Sequence, residues 1–272
     1  MEEEYVDTSR LSVRLINKSV AGQFVRTHHY SGKLSSARYT LGLYYRKDSH
    51  PFFVGEMNEL IGCLVYGHPV SNATVTSVFK TTELPLDAIL ELTRLVVLDG
   101  YGKNIESWFI GQSFKWLREN DPAAKVLVSY ADPEQDHTGT IYRATNWLYQ
   151  GCGAGKLMPD YSVRLTEGSG WIHSRTLGAM YGSRSVENLA EKIGHTFWQK
   201  KEMPKHRYIY FLPRGRERKK MIADVKIPII DYSDSEFQEQ VIRKIHVKDG
   251  KFSHIEVLQG EDTGWKMDKE DS

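Results

Sequence analysis

The fold is decided by the stretch LTRLVVLDGYGKNIESWF, residues 92–109. Its first seven residues are almost all apolar and rich in leucine and valine, as expected of a strand buried on both faces. The DGYG sequence then interrupts the strand, and from Ile105 onward apolar side chains recur at helical spacing. A buried strand that runs into an amphipathic helix is typical of a sheet covered by helices.

The same alternation continues on both sides of this stretch, which predicts an α/β fold with a mixed central sheet and helices on both faces. Further strands are predicted at 13–16, 39–45, 60–66, 126–128, 161–165 and 208–212, and helices at 19–28, from 138 to about 148, and within 176–195. We expect residues 1–230 to form one catalytic domain. Residues 231–272 are charged and weakly patterned, which predicts an acidic tail or small extension with a hairpin around residues 249–250.

The net charge of +1 conceals a basic segment. Between residues 200 and 220 there are nine Lys and Arg against two Glu, with aromatic residues interleaved. Such a segment attracts phosphates, although a solvated surface beside a buried strand gives the same pattern. Residues 198–220 are therefore a candidate nucleic-acid-contacting segment, through Lys205, Arg207, Arg214, Arg216, Arg218, Lys219 and Lys220.

Other features narrow the class of protein. No apolar run approaches the roughly 18 residues that a membrane span needs, so we expect a cytoplasmic protein without a membrane partner. Two cysteines, Cys63 and Cys152, are too few for a disulfide framework or a structural zinc site.

The glycine turn after the central strand is a candidate cofactor site. Backbone N–H groups at a helix N-terminus bind anions, and glycine lets a ligand approach the chain closely. We expect a phosphate or pyrophosphate group to be held by Gly100, Gly102, Lys103, Asn104 and Ser107. A glycine turn is also an ordinary way for a strand to reverse into a helix, so both interpretations stay open.

Polar and titratable side chains follow the next predicted strand, in the sequence SYADPEQDH at residues 129–137. Sites of open α/β sheets lie beyond the carboxyl ends of strands. Asp132 or Asp136 is the candidate general base, with Ser129, Tyr130 or His137 as an orienting or proton-transferring partner. One residue of this stretch is also expected to cap the following helix.

Three further residue types suggest chemistry. His28 and His29 close the first predicted helix together with Tyr30, and such a pair suits metal binding, proton transfer or a simple contact with the helix dipole. Arg94 interrupts an apolar strand and needs a partner, because an unpaired guanidinium is costly to bury. It is expected to pair with a nearby carboxylate or to hold an anion in a cleft.

These segments together resemble one family, the phage Mom proteins. The similar segments are HHYSG at 28–32, LTRL at 92–95, SYADP at 129–133 and HTGTIYRATNW at 137–147. The likeness runs from about residue 13 to 211. Because Mom proteins are described as similar in fold to the GCN5-related N-acyltransferases, the resemblance implies a GNAT-like sheet.

The resemblance implies a phage enzyme that converts adenine in double-stranded DNA to N6-carbamoylmethyl (acetamido) adenine and so protects phage DNA from host restriction. The catalytic positions carried over are His29, Tyr30, Arg94, Ser129 and Asp132. The donor implied is acyl-coenzyme A-like or another activated glycyl- or acetyl-type compound. An iron ion held by His28 or His29 is a further option.

One departure from the acyltransferase pattern concerns the donor. The pyrophosphate motif of that fold begins with Gln or Arg, whereas Val97 stands at this position and only Gly100 and Gly102 match. This departure weakens the inference of coenzyme A.

Two other functions fit parts of the sequence. An acyl-coenzyme A-dependent N-acetyltransferase acting on protein, a small amine or aminoacyl-tRNA would use the glycine turn. A non-catalytic DNA-binding protein would use the basic segment but leaves the cluster at 129–137 without a role.

Overall fold

The computed structural model of the chain describes residues 5, 7–47, 57–69, 71–135, 137–153, 160–234 and 240–259. The contacts divide the chain into two compact units. The first comprises Met1–Gly155 and Lys205–Ser235, and the second comprises Lys156–Pro204 and Glu236–Ser272. The second unit is therefore assembled from two separate segments of the chain.

The first unit is built on a seven-stranded sheet with the strand order β1-β2-β3-β4-β5-β9-β6. The strands are β1 (Leu11–Leu15), β2 (Tyr39–Lys47), β3 (Met57–Gly67), β4 (Ile89–Val97), β5 (Val126–Ala131), β6 (Leu148–Cys152) and β9 (His206–Phe211). The helices are α1 (Lys18–His28), α2 (Asn72–Thr76), α3 (Ile105–Asn120), α4 (Thr140–Ala144) and α7 (Gly215–Ala223). Short 3-10 helices lie at Thr8–Arg10, Leu86–Ala88, Pro133–Gln135 and Tyr232–Asp234.

Helices cover both faces of this sheet. On one face, α3 and α4 bury Phe109 and Tyr142 against the central strands. On the other face, α1 packs against β3 through Phe24, and α7 packs through Met221 against β5 and β9. The predicted α/β fold class, a mixed central sheet with helices on both faces, is confirmed.

The two parallel strands at the centre of the sheet separate at their carboxyl ends. β4 and β5 pair from Ile89↔Val126 to Leu92↔Ser129 and no further, although β4 continues to Val97. All other neighbouring strands in the sheet are antiparallel. A gap therefore opens between β4 and β5, at the edge where ligands bind in open α/β sheets.

The second unit has its own four-stranded antiparallel sheet, in the order β11-β10-β8-β7. Its strands are β7 (Tyr161–Arg164), β8 (Phe197–Lys201), β10 (Ile242–Lys248) and β11 (Lys251–Gln259), and its helices are α5 (Ser174–Tyr181) and α6 (Val186–Ile193). Leu177 and Leu189 of the helices share a core with Phe197 and Ile245 of the sheet. Both helices pack on this one face.

The region after residue 231 differs from the predicted tail. The predicted hairpin is confirmed, since β10 and β11 pair through a turn in which Asp249 and Gly250 have positive φ. However, β10 also pairs with β8, so these residues are part of a sheet and the chain does not divide at residue 230. The exposed side chains of β11 explain why the sequence pattern here is weak.

One predicted helix is wrong in its second half. The apolar spacing suggested a helix from Thr138 to Leu148, but α4 ends at Ala144 and Leu148 begins β6. Asn146 has a φ of 61°, a left-handed conformation that reverses the chain before the strand. No helix of the described residues is both long and apolar enough to cross a membrane.

Candidate active site

A pocket of about 420 Å³ lies where β4 and β5 separate. Its wall is contributed by the end of α1, the ends of β4 and β5, the first turn of α3, and the loop that leads into α4. The lining residues are His28, His29, Tyr30, Leu95, Val96, Val97, Glu106, Tyr130, Ala131, His137, Thr138, Gly139, Thr140, Ile141 and Tyr142. Segments far apart in the sequence thus meet in one cleft.

His29 faces this pocket as a neutral hydrogen-bond donor. The backbone N–H of Ser31 donates to Nδ1 of His29 at 3.1 Å, so Nδ1 has no proton and Nε2 carries the hydrogen. Burial lowers the pKa of His29 to about 4, and the positive charge of Arg94 contributes further. The imidazole therefore stays neutral at physiological pH.

The metal option does not fit His29 as it is placed. Metal coordination through Nε2 would require the proton to move to Nδ1, and that proton would displace the Ser31 N–H. His28 stacks on Phe24 at a ring-centroid distance of 4.7 Å. Within the described residues there is no group of three His, Cys, Asp or Glu side chains with the spacing of a metal site.

Tyr30 joins the α1 end of the pocket to the α4 loop. Its ring stacks on His29 at 4.4 Å and meets the edge of His137 at 5.7 Å. The side chain is 58% exposed, so its hydroxyl is available to a ligand. The predicted position of Tyr30 beside the other motif residues is found in the structure.

Ser129 lies beneath the pocket instead of in it. Its side chain is fully buried, with Oγ 2.9 Å from the Leu92 carbonyl oxygen and 2.8 Å from the Tyr142 hydroxyl. Tyr142 lines the pocket, and burial raises its pKa to about 12, which keeps the phenol protonated. Ser129 is thus a positioning residue for Tyr142, and the predicted direct contact with a ligand is not available to it.

Asp132 lies at the rim of the site in an ion pair. Its Oδ2 is 2.7 Å from Nζ of Lys205, and its Oδ1 accepts a hydrogen bond from the Glu134 N–H at 3.1 Å. The carboxylate does not line the pocket, whereas that of Glu106 does. Asp136, the second candidate base, lies outside the described residues.

Arg94 positions the loop after α1. Its Nε donates to the Lys33 carbonyl oxygen at 2.9 Å, and its Nη1 donates to the Thr93 carbonyl oxygen at 2.5 Å. The prediction that Arg94 pairs with a carboxylate is therefore corrected, because its guanidinium donates to these two carbonyl oxygens. Its contribution to the site is to hold the loop that carries His29.

The glycine turn leads to the pocket through α3. Gly100, Gly102 and Asn104 all have positive φ, and Asn104 is the residue before the first turn of the helix. Ser107 Oγ donates to the Asn104 carbonyl oxygen at 2.9 Å, so it is engaged within its own helix. Lys103 is exposed. Anion binding at this turn stays a prediction, and the Glu106 carboxylate in the first turn of α3 opposes an anion there.

The loop that begins α4 rests on a buried aromatic layer. Tyr208 donates to the Thr138 carbonyl oxygen at 2.6 Å, and its ring lies 5.0 Å from that of Tyr142. Gly139 has a φ of 75°, and a Cβ there would lie 2.3 Å from the Tyr208 ring. Glycine is therefore required at this position for the loop to close over Tyr208.

The predicted DNA-contacting residues divide into three groups and a single residue, Arg218. Arg207 is only 1% exposed and donates to Ser77 Oγ at 2.7 Å, so its assignment as a DNA contact is corrected to a support for α2. Lys205 is half-exposed in its pair with Asp132. Exposed cations on and before α7 form the third group, which consists of Arg214, Arg216, Lys219 and Lys220.

Arg218 belongs to a separate pocket. It lines this second, polar pocket together with Arg143, Asn146, Trp147, Leu148 and Tyr210. The guanidinium carbon of Arg143 lies 3.8 Å from the Tyr232 ring centre.

Comparison with known proteins places the chain in a family. The model of the Mom protein family matches residues 10–233, so the chain belongs to the Mom protein family. The predicted resemblance is confirmed. The matched span ends before β10 and β11, which are therefore additional to it.

One curated relative is the methylcarbamoylase mom of Escherichia phage Mu, which is 27% identical over 219 residues, or 78% of this chain and 80% of the relative. Among solved structures, Arabidopsis thaliana NAA60 in complex with acetyl-CoA covers 74% of this chain and 98% of its own, with a TM-score of 0.41 and 13% identity. Spermidine N-acetyltransferase from Vibrio cholerae covers 75% and 95%, with a TM-score of 0.39 and 8% identity.

Two pocket residues had no role assigned from the sequence. Tyr142 and Glu106 lie on helices, and only the tertiary structure shows that they face the gap between β4 and β5. Tyr142 lies within the segment most similar to the Mom proteins, which is the signal that points to it.

Proposed function

We propose that this chain is a transferase that modifies the N6 amine of adenine in double-stranded DNA to the carbamoylmethyl form. The observation that supports this most is the convergence of the family's segments. The loop after α1, the end of β5 and the α4 loop contribute Tyr30, Tyr130 and His137 to one pocket, inside the family-matched span. Protection of phage DNA from host restriction would follow from the modification.

The reaction requires help from the protein because the N6 lone pair is delocalised into the adenine ring. A base must accept a proton from N6 as the new N–C bond forms and the donor's leaving group departs with its electron pair. Since N6 is paired inside the duplex, the adenine must first leave the stack, at a cost of a few kcal/mol.

Asp132 is the proposed general base. Lys205 holds its Oδ2 at 2.7 Å at the rim of the pocket, and a carboxylate oxygen there can accept a proton. Tyr30 and the Nε2–H of His29 are the proposed donors to the base edge or to the donor carbonyl, with Arg94 fixing their loop. Tyr142, oriented by Ser129, would supply a further hydroxyl in the pocket.

The proposed donor is an activated acetyl- or glycyl-type compound, with coenzyme A as the chemical model for its carrier. The carbamoylmethyl product is bonded to N6 through its CH2 carbon, so the leaving group must depart from that carbon, because attack on an acyl carbonyl would form an amide instead. Beyond Leu92, the backbone of β4 has no strand partner on its β5 side, so an amide-bearing chain would find N–H and C=O groups there. Gly100, Gly102, Lys103, Asn104 and Ser107 would hold its anionic end. Such a donor supplies an electrophilic carbon with a good leaving group.

The proposed function is tested by mass spectrometry of DNA. The chain is co-expressed with a plasmid, the DNA is digested to nucleosides, and adenosine heavier by one carbamoylmethyl group in place of hydrogen is sought. Unmodified adenosine from well-expressed protein would refute the proposal. An N-acetylated protein or amine in the same cells would favour the acetyltransferase alternative.

The assignment of Asp132 as the general base is tested by substituting two carboxylate residues of the site separately. We expect Asp132→Asn to lower modification by at least about 100-fold, the usual scale of general-base catalysis, while thermal stability and DNA affinity are retained. Glu106→Gln is the control, because it also neutralises a carboxylate at the site. Loss of activity in Glu106→Gln alone would transfer the role to Glu106.

The DNA contacts proposed for the first unit are Lys205, Arg214, Arg216, Arg218, Lys219 and Lys220. Reversing the charges of Arg214, Arg216 and Arg218 should weaken DNA binding and flatten its salt dependence by roughly 0.9 for each lost phosphate contact. An unchanged slope would return these residues to the solvated-surface interpretation.

A further inference from the structure

Among the described residues, the second unit has one sheet face on which neither α5 nor α6 packs. Neighbours across an antiparallel sheet share a face, so the pairings Val163↔Gln199 and Ile245↔Phe197 define the side on which α5 and α6 pack. The opposite side carries the alternate residues of the same strands. Among them, Arg164, Trp198 and Lys244 are part-exposed.

A row of cations and tryptophan crosses this second side. Arg164 of β7 pairs in register with Trp198 of β8, which pairs in register with Lys244 of β10. Neighbouring strands are about 4.8 Å apart, so the two cations flank the indole at a separation of about 10 Å between their strands. We call Arg164, Trp198 and Lys244 the basic row.

Aromatic contacts support the side chains of the basic row. The Arg164 guanidinium carbon lies 4.4 Å from the Trp171 ring centre, and Lys244 Nζ lies 5.6 Å from that of Trp198. Lys200 Nζ adds a further cation 5.7 Å from Trp171. Because cation–π contact restrains long side chains, less entropy is lost when these cations bind an anion.

One carboxylate lies beside the basic row. Glu256 of β11 is the register partner of Lys244, and its carboxylate lies 2.8 Å from His246 Nε2. His246 and His254 continue the same side one step further along the strands, with rings stacked at 4.2 Å. Arg164, Lys200 and Lys244 thus place one cation on each of β7, β8 and β10, and Glu256 marks the end of this surface at β11.

We propose that this face of the second unit binds the phosphate backbone of double-stranded DNA, with Arg164 and Lys244 as the phosphate contacts. The choice of duplex DNA as the partner rests on the proposed function. The attraction to a polyanion rests on the charges of the basic row. Flat, regularly spaced cations match a uniform polyanion, whereas the tryptophans are already engaged by cations and act as supports. Lys244 lies beyond the family-matched span, so part of this surface is specific to chains that carry β10.

The test is fluorescence anisotropy of a labelled duplex with the full chain across a salt series. The double variant Arg164→Gln/Lys244→Gln should reduce the slope of log affinity against log salt by about 1.8, which at 0.1 M salt is a roughly 50-fold loss of affinity. Arg164→Lys/Lys244→Arg keeps both charges and should retain the slope. The matched control is Arg175→Gln/Lys192→Gln, which removes two charges from α5 and α6 and should have no effect.

Separate readouts distinguish the two proposals. If the Arg164→Gln/Lys244→Gln variant keeps the wild-type salt slope of DNA binding, the proposed DNA-binding surface is overturned, even if plasmid adenine is modified. If duplex binding depends on the basic row but plasmid adenine is not modified, the DNA-binding surface is supported and only the proposed function is refuted. Preference for single-stranded DNA, lost in Trp198→Leu, would assign the face to stacked bases and overturn the duplex assignment.

Discussion

The two sheets of this molecule expose their functional residues in different ways. The seven-stranded sheet is covered on both faces, and it makes a pocket only because β4 and β5 stop pairing after Leu92 and Ser129. The four-stranded sheet is covered on one face and leaves the other as a broad surface. A gap suits chemistry on one atom, while a broad face suits contact with a long polyanion.

This difference has an energetic consequence. The residues around the gap are held by buried groups such as Ser129, Arg207 and Tyr208, so disturbing them costs folding energy. The basic row is held by contacts among part-exposed side chains. Substitutions at the gap should therefore change stability and activity together, and substitutions in the basic row should change binding alone.

The largest effect is expected for Gly139→Ala. The methyl group would lie 2.3 Å from the Tyr208 ring and would require alanine at a φ of 75°, which together cost roughly 3–5 kcal/mol of unfolding free energy. Denaturant unfolding measures this, and modification should be lost as well. Gly100→Ala is the control, because φ is also positive there but no atom lies within 4 Å, so about 1 kcal/mol is expected. Equal losses in both variants would mean that backbone strain alone is responsible.

A smaller loss is expected for Arg207→Met. Removal of the guanidinium leaves the Ser77 hydroxyl oxygen without its donor and the Thr74 carbonyl oxygen with only the Ser77 hydroxyl as a side-chain donor, at about 2–4 kcal/mol. The salt slope of DNA binding should stay at the wild-type value, because Arg207 is buried. A shallower slope at unchanged stability would restore Arg207 as a DNA contact and blur the distinction between the two sheets.

The smallest effect is a pH dependence centred on His29. Its folded pKa of about 4 lies below the ordinary 6.5, so its stabilising contribution is complete above pH 6.5 and is lost as the pH falls toward 4. Protonation of Nδ1 would also displace the Ser31 N–H. Thermal unfolding between pH 7 and 4 should therefore be less pH-dependent in His29→Gln than in the wild type. Superimposable profiles would show that His29 titrates as an exposed histidine.

Much of the first sheet could be predicted from the sequence because its strands are buried on both faces. The buried runs that became β4 and β5 and the helical spacing of α3 are strong local signals. The extent of α4 could not be predicted, because apolar spacing through Leu148 is shared by a helix and by a turn followed by a strand. Only the positive φ of Asn146 separates the two.

The site was predictable as a set of segments but not as a set of contacts. Tyr30 and the segment at 129–147 meet as expected, whereas Ser129 and Arg207 proved to be interior. Sequence gives residue type but not depth, and a buried arginine with hydrogen-bond partners looks the same as a surface one. The second sheet was missed because charged and polar residues are interspersed with the apolar ones in β10 and β11, and because these strands complete a sheet begun more than 70 residues earlier.

The divided origin of the second unit bears on the order of folding during synthesis. All strands of the first unit have been synthesised once the chain reaches residue 211, and the second of its two chain segments ends at residue 235. The second sheet must wait for β10, which enters between β8 and β11. Until residues 242–248 leave the ribosome, β8 presents an unpaired edge of the kind that recruits other strands. A chain arrested before that point would hold a formed pocket beside an aggregation-prone remainder.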